Sequence, residues 1–381
     1  VFDRAEAAHR QRNAAPFGIA DVVPGIDFAG VGRHVRKVIE AIAPNDSIER
    51  FTALGVEVIQ GEARFEDGRT IAVATDAGDR EIRARRFVVA TGSSPFIPEI
   101  PGLQDAGYLT NETIFDLAER PGHLIVVGGG PVGMELAQAY RRLGAEVTVL
   151  EAAGVLSHDD PELAAVVRDA LRREGVAIHE KARVTAVKRM ADASIRAIAE
   201  TGDGALIVEG THILVAAGRR PNVERLDLAK AGIASDGGGI RVDPLLRTSN
   251  RRVYAIGDVT GGPQFTHVAN YQAGLVLRAL LFRLPARANR LILPRVTYTD
   301  PELAHVGLTE EEARKTHGVV RVLKSPYSGN DRAQAERRTE GFIKLVAGPR
   351  GRLFGVSIVG ASAGDMIGFW ALALSKKMSV R

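Results

Sequence analysis

Cysteine is absent from all 381 residues. These residues therefore contain no disulfide framework, no thiolate metal ligand and no cysteine nucleophile. Long apolar runs are missing too. No stretch reaches the roughly 20 consecutive apolar residues that span a bilayer, and the first residues lack the charged, apolar and small succession of a signal peptide. The formal charge is +4, but the Arg residues are scattered and no basic run is interleaved with stacking aromatics, which argues against nucleic-acid binding. No short repeat or low-complexity segment occurs. These absences predict a globular protein with no membrane, nucleic-acid or metal partner and a cytoplasmic location. With 45% hydrophobic and 25% charged residues, the chain is long enough for two or three domains with buried cores. It opens at Val1 and stops at Arg381 without a cap, as expected of a fragment or of unrecorded ends.

What is present begins with "HLIVVGGGPVGMELA", residues 123–137. The apolar run predicts a buried strand over 123–129. The residues after it predict a helix with Val132, Leu136, Ala139, Tyr140 and Leu143 on one face and a stop at Gly144. A second strand follows at 146–152, then a helix beginning near Pro161 and stopped by Gly175, then a third strand at 176–180. That order is the parallel mononucleotide-binding unit. Gly128, Gly130 and Gly133 carry the G-x-G-x-x-G spacing, in which the first glycine makes the tight turn, the second lets a pyrophosphate approach and the third lets the helix pack on the sheet. Pro131 and Val132 open the helix, whose unpaired N–H groups and dipole favour phosphate. Glu151 ends the next strand about 20 residues further on, where a carboxylate accepts the adenosine ribose hydroxyls and repels a 2′-phosphate. NAD(H) is thus predicted over NADP(H). The competing reading of Glu151 is a solvated strand-end acid.

Further along, 341–348 and 353–360 alternate about "GPRG" as an antiparallel hairpin would, so a separate α+β domain is expected from about Leu293. Thr309 and Glu312 predict a capping box at a helix start. One long echo is present: "RFVVATGSSP" (86–95) and "HILVAAGRRP" (212–221) are both apolar strands followed by Ala, Gly and Pro at matching offsets. It suggests two related dinucleotide-binding domains, one interrupted by the other. A further strand, "RVYAIGD", ends in Gly257 and Asp258. An Asp there binds a hydroxyl-rich ligand such as a ribityl chain, or alternatively caps a helix near residue 265.

Taken in order, "VVATGSSPFIPEIPG", "VVGGGPVGMELA", "LVAAGRRPN", "TSNRRVYAIGDV" and "YTDPELAHVGLTEEEA" resemble the pyridine nucleotide–disulfide oxidoreductases, the family of dihydrolipoamide dehydrogenase, glutathione reductase and mercuric reductase. The resemblance runs from about Ala5 to Arg381. It implies an α/β fold with two Rossmann-like domains: an FAD-binding domain of residues 1–106 and 234–292, interrupted by an NAD-binding domain of 107–233. An α+β dimerisation domain of 293–381 follows. The resemblance places Thr91, Gly92, Asp258 with Gly257, and His267 with Ala269 around FAD, and Gly128, Gly130, Gly133, Glu151 and Gly218 around NAD. Glu135 matches the acid near the nicotinamide that pairs with a flavin-side Lys, its bland alternative being a solvated first-turn acid favoured by the helix dipole. The implied activity is hydride transfer from NADH to FAD and on to a disulfide or related acceptor, in a homodimer. The flavin's own glycine loop, the Cys pair and the His-Glu acid/base pair of the family fall outside these residues. Two other readings therefore stay open: a flavin-direct NADH:acceptor reductase or transhydrogenase, and a non-catalytic NAD-binding module. Residues 46–67 lean toward the mercuric-reductase-like branch.

Overall fold

The structure, a computed structural model, describes residues 1–284 and 287–380; Arg381, the expected end of the third domain, lies outside them. The chain forms two compact units. One takes Val1–Val38, Pro95–Gly218 and the residues from Leu291 onward, the other Ile39–Ser94 and Arg219–Arg290.

The chain opens with helix α1 (Phe2–Arg12), which buries Ala5 and Ala8, and helix α2 (Phe28–Ile42). Val31 of α2 packs with Ala5, Ala139 and Leu143. Three strands then form an antiparallel meander, β1 (Glu62–Phe65), β2 (Thr70–Thr75) and β3 (Gly78–Arg83). The short strand β4 (Phe87–Val89) follows it.

The next segment is the predicted nucleotide unit. Strand β5 (His123–Val127) has Leu124, Ile125 and Val126 fully buried, as a central parallel strand covered on both faces requires. Burial of each such side chain contributes roughly 1.5–3 kcal/mol. The strand stops two residues short of the expected 129, because Gly128 at φ +114° turns the backbone out of the sheet. Helix α3 (Pro131–Arg142) has Pro at its first position and buries Met134, Leu136, Ala137 and Tyr140. Gly144 at φ +96° carries the chain back toward the sheet. Strand β6 (Glu146–Leu150), helix α4 (Pro161–Arg173) and strand β7 (Ala177–His179) complete the alternation. An antiparallel meander of β8 (Arg183–Arg189), β9 (Ile195–Thr201) and β10 (Gly204–Gly210) leads to β11 (His212–Val215). The parallel sheet has the order β11-β5-β6-β7.

In the other unit, β12 (Val253–Ala255) pairs in parallel with β4, Phe87 opposite Val253 and Val89 opposite Ala255. Helix α5 (Thr266–Phe282) follows. The chain then returns to the first unit. There β13 (Arg295–Thr297), β14 (Glu302–Gly307), β15 (Arg321–Pro326), β16 (Phe342–Ala347) and β17 (Leu353–Gly360) make an antiparallel sheet in the order β13-β14-β17-β16-β15. The expected hairpin is β16–β17. The expected capping box is present at helix α6 (Glu310–His317), with Thr309 and Glu312 bonded reciprocally. Helix α7 (Ala363–Ser375) closes the sheet's apolar face.

Within the first unit, the Lys344 side chain is 3% exposed and its ammonium lies 2.6 Å from Asp160 and 2.8 Å from Glu310. Asp160 also caps α4 by accepting the Glu162 N–H. A buried ammonium is tolerated only with such partners. His305, also buried, has Nδ1 2.8 Å from the Ser357 hydroxyl and Nε2 3.0 Å from the Gly307 carbonyl. Burial pushes its imidazole down to about 4, so it is neutral and structural at ordinary pH.

Candidate functional site

The glycine loop lies between β5 and α3, and each glycine has a geometric task. A Cβ on Gly128 would sit 2.4 Å from the Ala216 carbonyl, and one on Gly133 would sit 2.1 Å from the Gly128 carbonyl. Gly130 has no neighbour within 4 Å of the place a Cβ would take, so its outer side is open to a ligand. Pro131 fixes the first helical position, and the Val132 side chain is 39% exposed on the first turn. Gly218, beyond β11, has φ +118° and is likewise open on its Cβ side. The start of a helix beside such open glycine positions is the kind of place that suits a diphosphate.

The Glu151 carboxylate is fixed by the backbone, one oxygen accepting the Gly129 N–H at 2.6 Å and the other the Ala153 N–H at 2.8 Å. It is therefore built into the loop rather than freely solvated, and its remaining lone pairs are available to ribose hydroxyls. The middle glycine of the triplet, Gly129, was not singled out by the spacing. A Cβ there would lie 2.7 Å from the Val155 side chain and 3.0 Å from Glu151 Cγ. Its signal was the unbroken run of three glycines.

Glu135 lies within the first two turns of α3. It is half-buried, and its carboxylate accepts the Tyr298 N–H at 2.8 Å. Burial pushes the carboxyl up to about 7, against the opposing pull of that hydrogen bond. Its surroundings are those of a half-buried, backbone-bonded carboxyl rather than a freely solvated one. A cavity of about 330 Å³ opens beside it, lined by α1, α3, residues 298–302 and Arg338. Glu302 also lines the cavity and is likewise raised by burial.

The second predicted cluster belongs to the other unit. Because β4 and β12 run in parallel, their carboxyl ends bring residues 91–92 and 257–258 to one edge, where open α/β sheets bind ligands. Thr91 and Gly92 are tied to Asn222. The Thr91 hydroxyl donates to the Asn222 carbonyl at 2.8 Å, the Asn222 amide donates back at 3.0 Å, and the Asn222 N–H donates to the Gly92 carbonyl at 3.0 Å. Gly92 and Gly257 have φ +69° and +72°. The buried Gln272 side chain accepts the Gly257 N–H at 2.7 Å, and a Cβ on Gly257 would lie 3.2 Å from the Ala269 methyl, which explains the small residue there. Asp258 accepts the Ser93 hydroxyl at 2.6 Å, and Arg219 donates to the same hydroxyl at 2.7 Å with its Nε 3.9 Å from Asp258. The helix-cap reading of Asp258 is not realised, because Asp258 sits in the short turn Gly257–Thr260 and Phe265 occupies the position before α5. His267 lies in the first turn of α5 with its ring stacked on Phe265 at 5.4 Å. Ser93 and Arg219 were not read from the sequence; the echo pairing "ATGSS" with "AAGRR" was their only trace.

Among the described residues no helix is long and apolar enough to cross a membrane, and no group of three or more His, Asp or Glu is placed to hold a metal ion.

Residues 6–273 match the family described as Pyridine nucleotide-disulphide oxidoreductase, and residues 293–381 match its dimerisation domain. The mercuric reductase of Lysinibacillus sphaericus is 33% identical over 379 residues, covering 98% of this chain and 68% of that protein. The dihydrolipoyl dehydrogenase of Geobacillus stearothermophilus is 32% identical over 381 residues, covering 98% and 80%. Against the mercuric reductase of Bacillus cereus the chain spans 59% of the relative's length. Among solved structures, LpdA from Mycobacterium tuberculosis superimposes with a TM-score of 0.88 at 28% identity, covering 100% of this chain and 83% of that one. The HOCl-induced flavoprotein disulfide reductase RclA from Escherichia coli gives 0.83 at 26%, covering 98% and 82%. The two family matches together span most of the chain, and the chain belongs to the pyridine nucleotide-disulphide oxidoreductases, FAD-binding and NAD(P)H-using enzymes with a dimerisation domain.

Proposed function

We propose that this chain works as an NADH-dependent flavoprotein that passes electrons to a disulfide or a related acceptor, and that it does so as a homodimer. The observation that carries the choice of reductant is the Glu151 carboxylate, hydrogen-bonded to the glycine loop through the Gly129 N–H. Gly128, Gly130 and Gly133 let the backbone approach a diphosphate, and the start of α3 donates N–H groups to it. Glu151 accepts the 2′- and 3′-hydroxyls of the adenosine ribose and would meet a 2′-phosphate with like charge. Glu135 stands on the same helix at the nicotinamide side and holds or releases a proton near neutral pH, as its raised carboxyl allows.

FAD, when bound, supplies a hydride acceptor for the nicotinamide and an electron donor for the disulfide-type acceptor. Thr91, Gly92, Gly257 and Asp258 would line its site, with Asp258 held by Ser93 and Arg219; His267 and Ala269 lie at the start of the following helix. We assign residues 1–106 and 234–292 to the FAD-binding domain, 107–233 to the NAD-binding domain and 293–381 to the dimerisation domain. The pairing of β4 with β12 across the intervening segment supports a split flavin domain. Use of a soluble intracellular reductant favours a cytoplasmic setting.

The test is anaerobic titration of the FAD-loaded full-length protein. NADH is expected to bleach the visible flavin bands far more effectively than NADPH. An NADPH preference would refute the role of Glu151, and absence of any bleaching would remove the enzymatic reading.

A further inference from the structure

One face of α3 makes a set of contacts that neither the nucleotide loop nor the helix itself requires. Glu135, Gln138 and Arg142 are three and four residues apart, so they share a side of the helix. All three engage the backbone or side chain of residues 298–300. Glu135 accepts the Tyr298 N–H at 2.8 Å. Gln138, only 4% exposed, pairs with both backbone groups of Asp300: it accepts the N–H at 2.8 Å and donates to the carbonyl at 2.7 Å. Its side chain stands in for a neighbouring β-strand. Arg142, 6% exposed, reaches the Asp300 carboxylate at 2.9 Å while bonded twice to Glu174, and Arg338 holds the other Asp300 oxygen at 2.7 Å.

We propose that Gln138, assisted by the Arg142–Asp300 pair, is a positioning residue for Glu135: it docks residues 298–300 on α3 so that the Tyr298 N–H meets the Glu135 carboxylate. The proposal rests on the reading of Glu135 as the nicotinamide-side acid. An N–H aimed at a carboxylate stabilises its ionised form, so the dock sets how readily Glu135 keeps its proton. Rigid support of this kind is what functional groups need to hold their geometry.

The charged groups around the cavity that Glu135 borders are few. From α1 they are Asp3, Glu6 and Arg10. From the remaining walls they are Arg142, Arg338, Asp300 and Glu302, with the Tyr298 phenol beside them. Although burial alone would raise Asp300, Arg142 and Arg338 hold it below the usual carboxylate range. It therefore stays ionised while Glu135 titrates.

The experiment uses the FAD-loaded full-length protein and two readouts. Glu135 is titrated through the infrared carbonyl band of its protonated carboxyl, identified as the band that E135Q removes, and flavin bleaching by NADH is followed by stopped flow. Gln138→Met is expected to move the titration midpoint upward by at least half a pH unit. It is also expected to slow bleaching about five- to tenfold, with the dissociation constant for NADH within twofold of the parent. Q138N, which keeps the amide but withdraws it by one methylene, is expected to shift the midpoint in the same direction and keeps the test available should Q138M fold poorly. T309A, which loses the capping box of α6, is expected to lower the melting temperature without moving the midpoint. An unchanged or lowered midpoint in Q138M and Q138N overturns the positioning role alone. Parental bleaching in E135Q overturns the role of Glu135, and the proposal with it.

Discussion

The two regions proposed to hold nucleotides, one on the nicotinamide side and one on the flavin side, are built from opposite materials. The nicotinamide-side region is one continuous stretch, β5–α3–β6, and its polar groups are tied by backbone: Glu151 takes the Gly129 and Ala153 N–H groups, and the glycines crowd carbonyls. The flavin-side region is assembled from segments far apart in the chain, and its polar groups are tied by side chains, in the relay Arg219–Ser93–Asp258 and the pair Thr91–Asn222. Backbone ties fail all at once when sterics are violated, whereas side-chain ties weaken one at a time. The first region is expected to be brittle and the second graded.

The hardest test of that contrast is Gly133→Val. Its Cβ would lie 2.1 Å from the Gly128 carbonyl, so the loop must move. Overpacking of this kind costs about 1–3 kcal/mol or more. Bleaching by NADH should fall about 10- to 100-fold or more while bound flavin absorbance remains; loss of flavin instead would break the contrast. Glu151→Gln comes next. Removing a charged acceptor from ribose hydroxyls costs about 1.5–3 kcal/mol, so the dissociation constant for NADH should rise at least about tenfold and NADPH should gain relative to it, as read by titration. Asp258→Asn keeps the shape and one acceptor for the Ser93 hydroxyl. It should weaken FAD retention by only several-fold, a cost of about 1 kcal/mol, measured by flavin release on dilution. Were the Asp258 change the larger of the two, the graded character of the flavin side would be wrong.

His305 belongs to neither region and sets a baseline for pH effects. Its folded-state value near 4 lies below the ordinary 6.5, so between those values the unfolded chain binds more protons and stability rises with pH. Acidification from about pH 6.5 to 4 should therefore cost the protein up to about 3 kcal/mol through this group. His305→Gln should show a shallower loss of melting temperature over the same window.

Much of the nicotinamide side was legible because its information is local. Buried-strand runs, the Pro131 helix start and the Gly128–Gly130–Gly133 spacing each lie within a few residues of the structure they specify, and the capping box at Thr309 was readable for the same reason. The relay through Ser93 and Arg219, the pairing of Gln138 with Asp300 and the buried Lys344–Asp160–Glu310 cluster were not legible. Their partners are far apart in sequence, and a lone Gln or Lys in a pattern reads as an ordinary polar residue. Asp258 was half-legible: the strand end was visible, but excluding the helix cap needed the position of α5.

The pairing of Phe87 with Val253 has a consequence for the order of events during synthesis. That two-stranded closure joins residues on the order of 160 positions apart, and ring closure over such a length carries an entropic penalty before any contact repays it. At about 5–20 residues per second, the ribosome leaves β4 without its partner for roughly ten seconds or more. Meanwhile the enclosed β5–α3–β6 segment already has every strand neighbour it requires up to β11. The chain is thus expected to acquire its nicotinamide half before its flavin half.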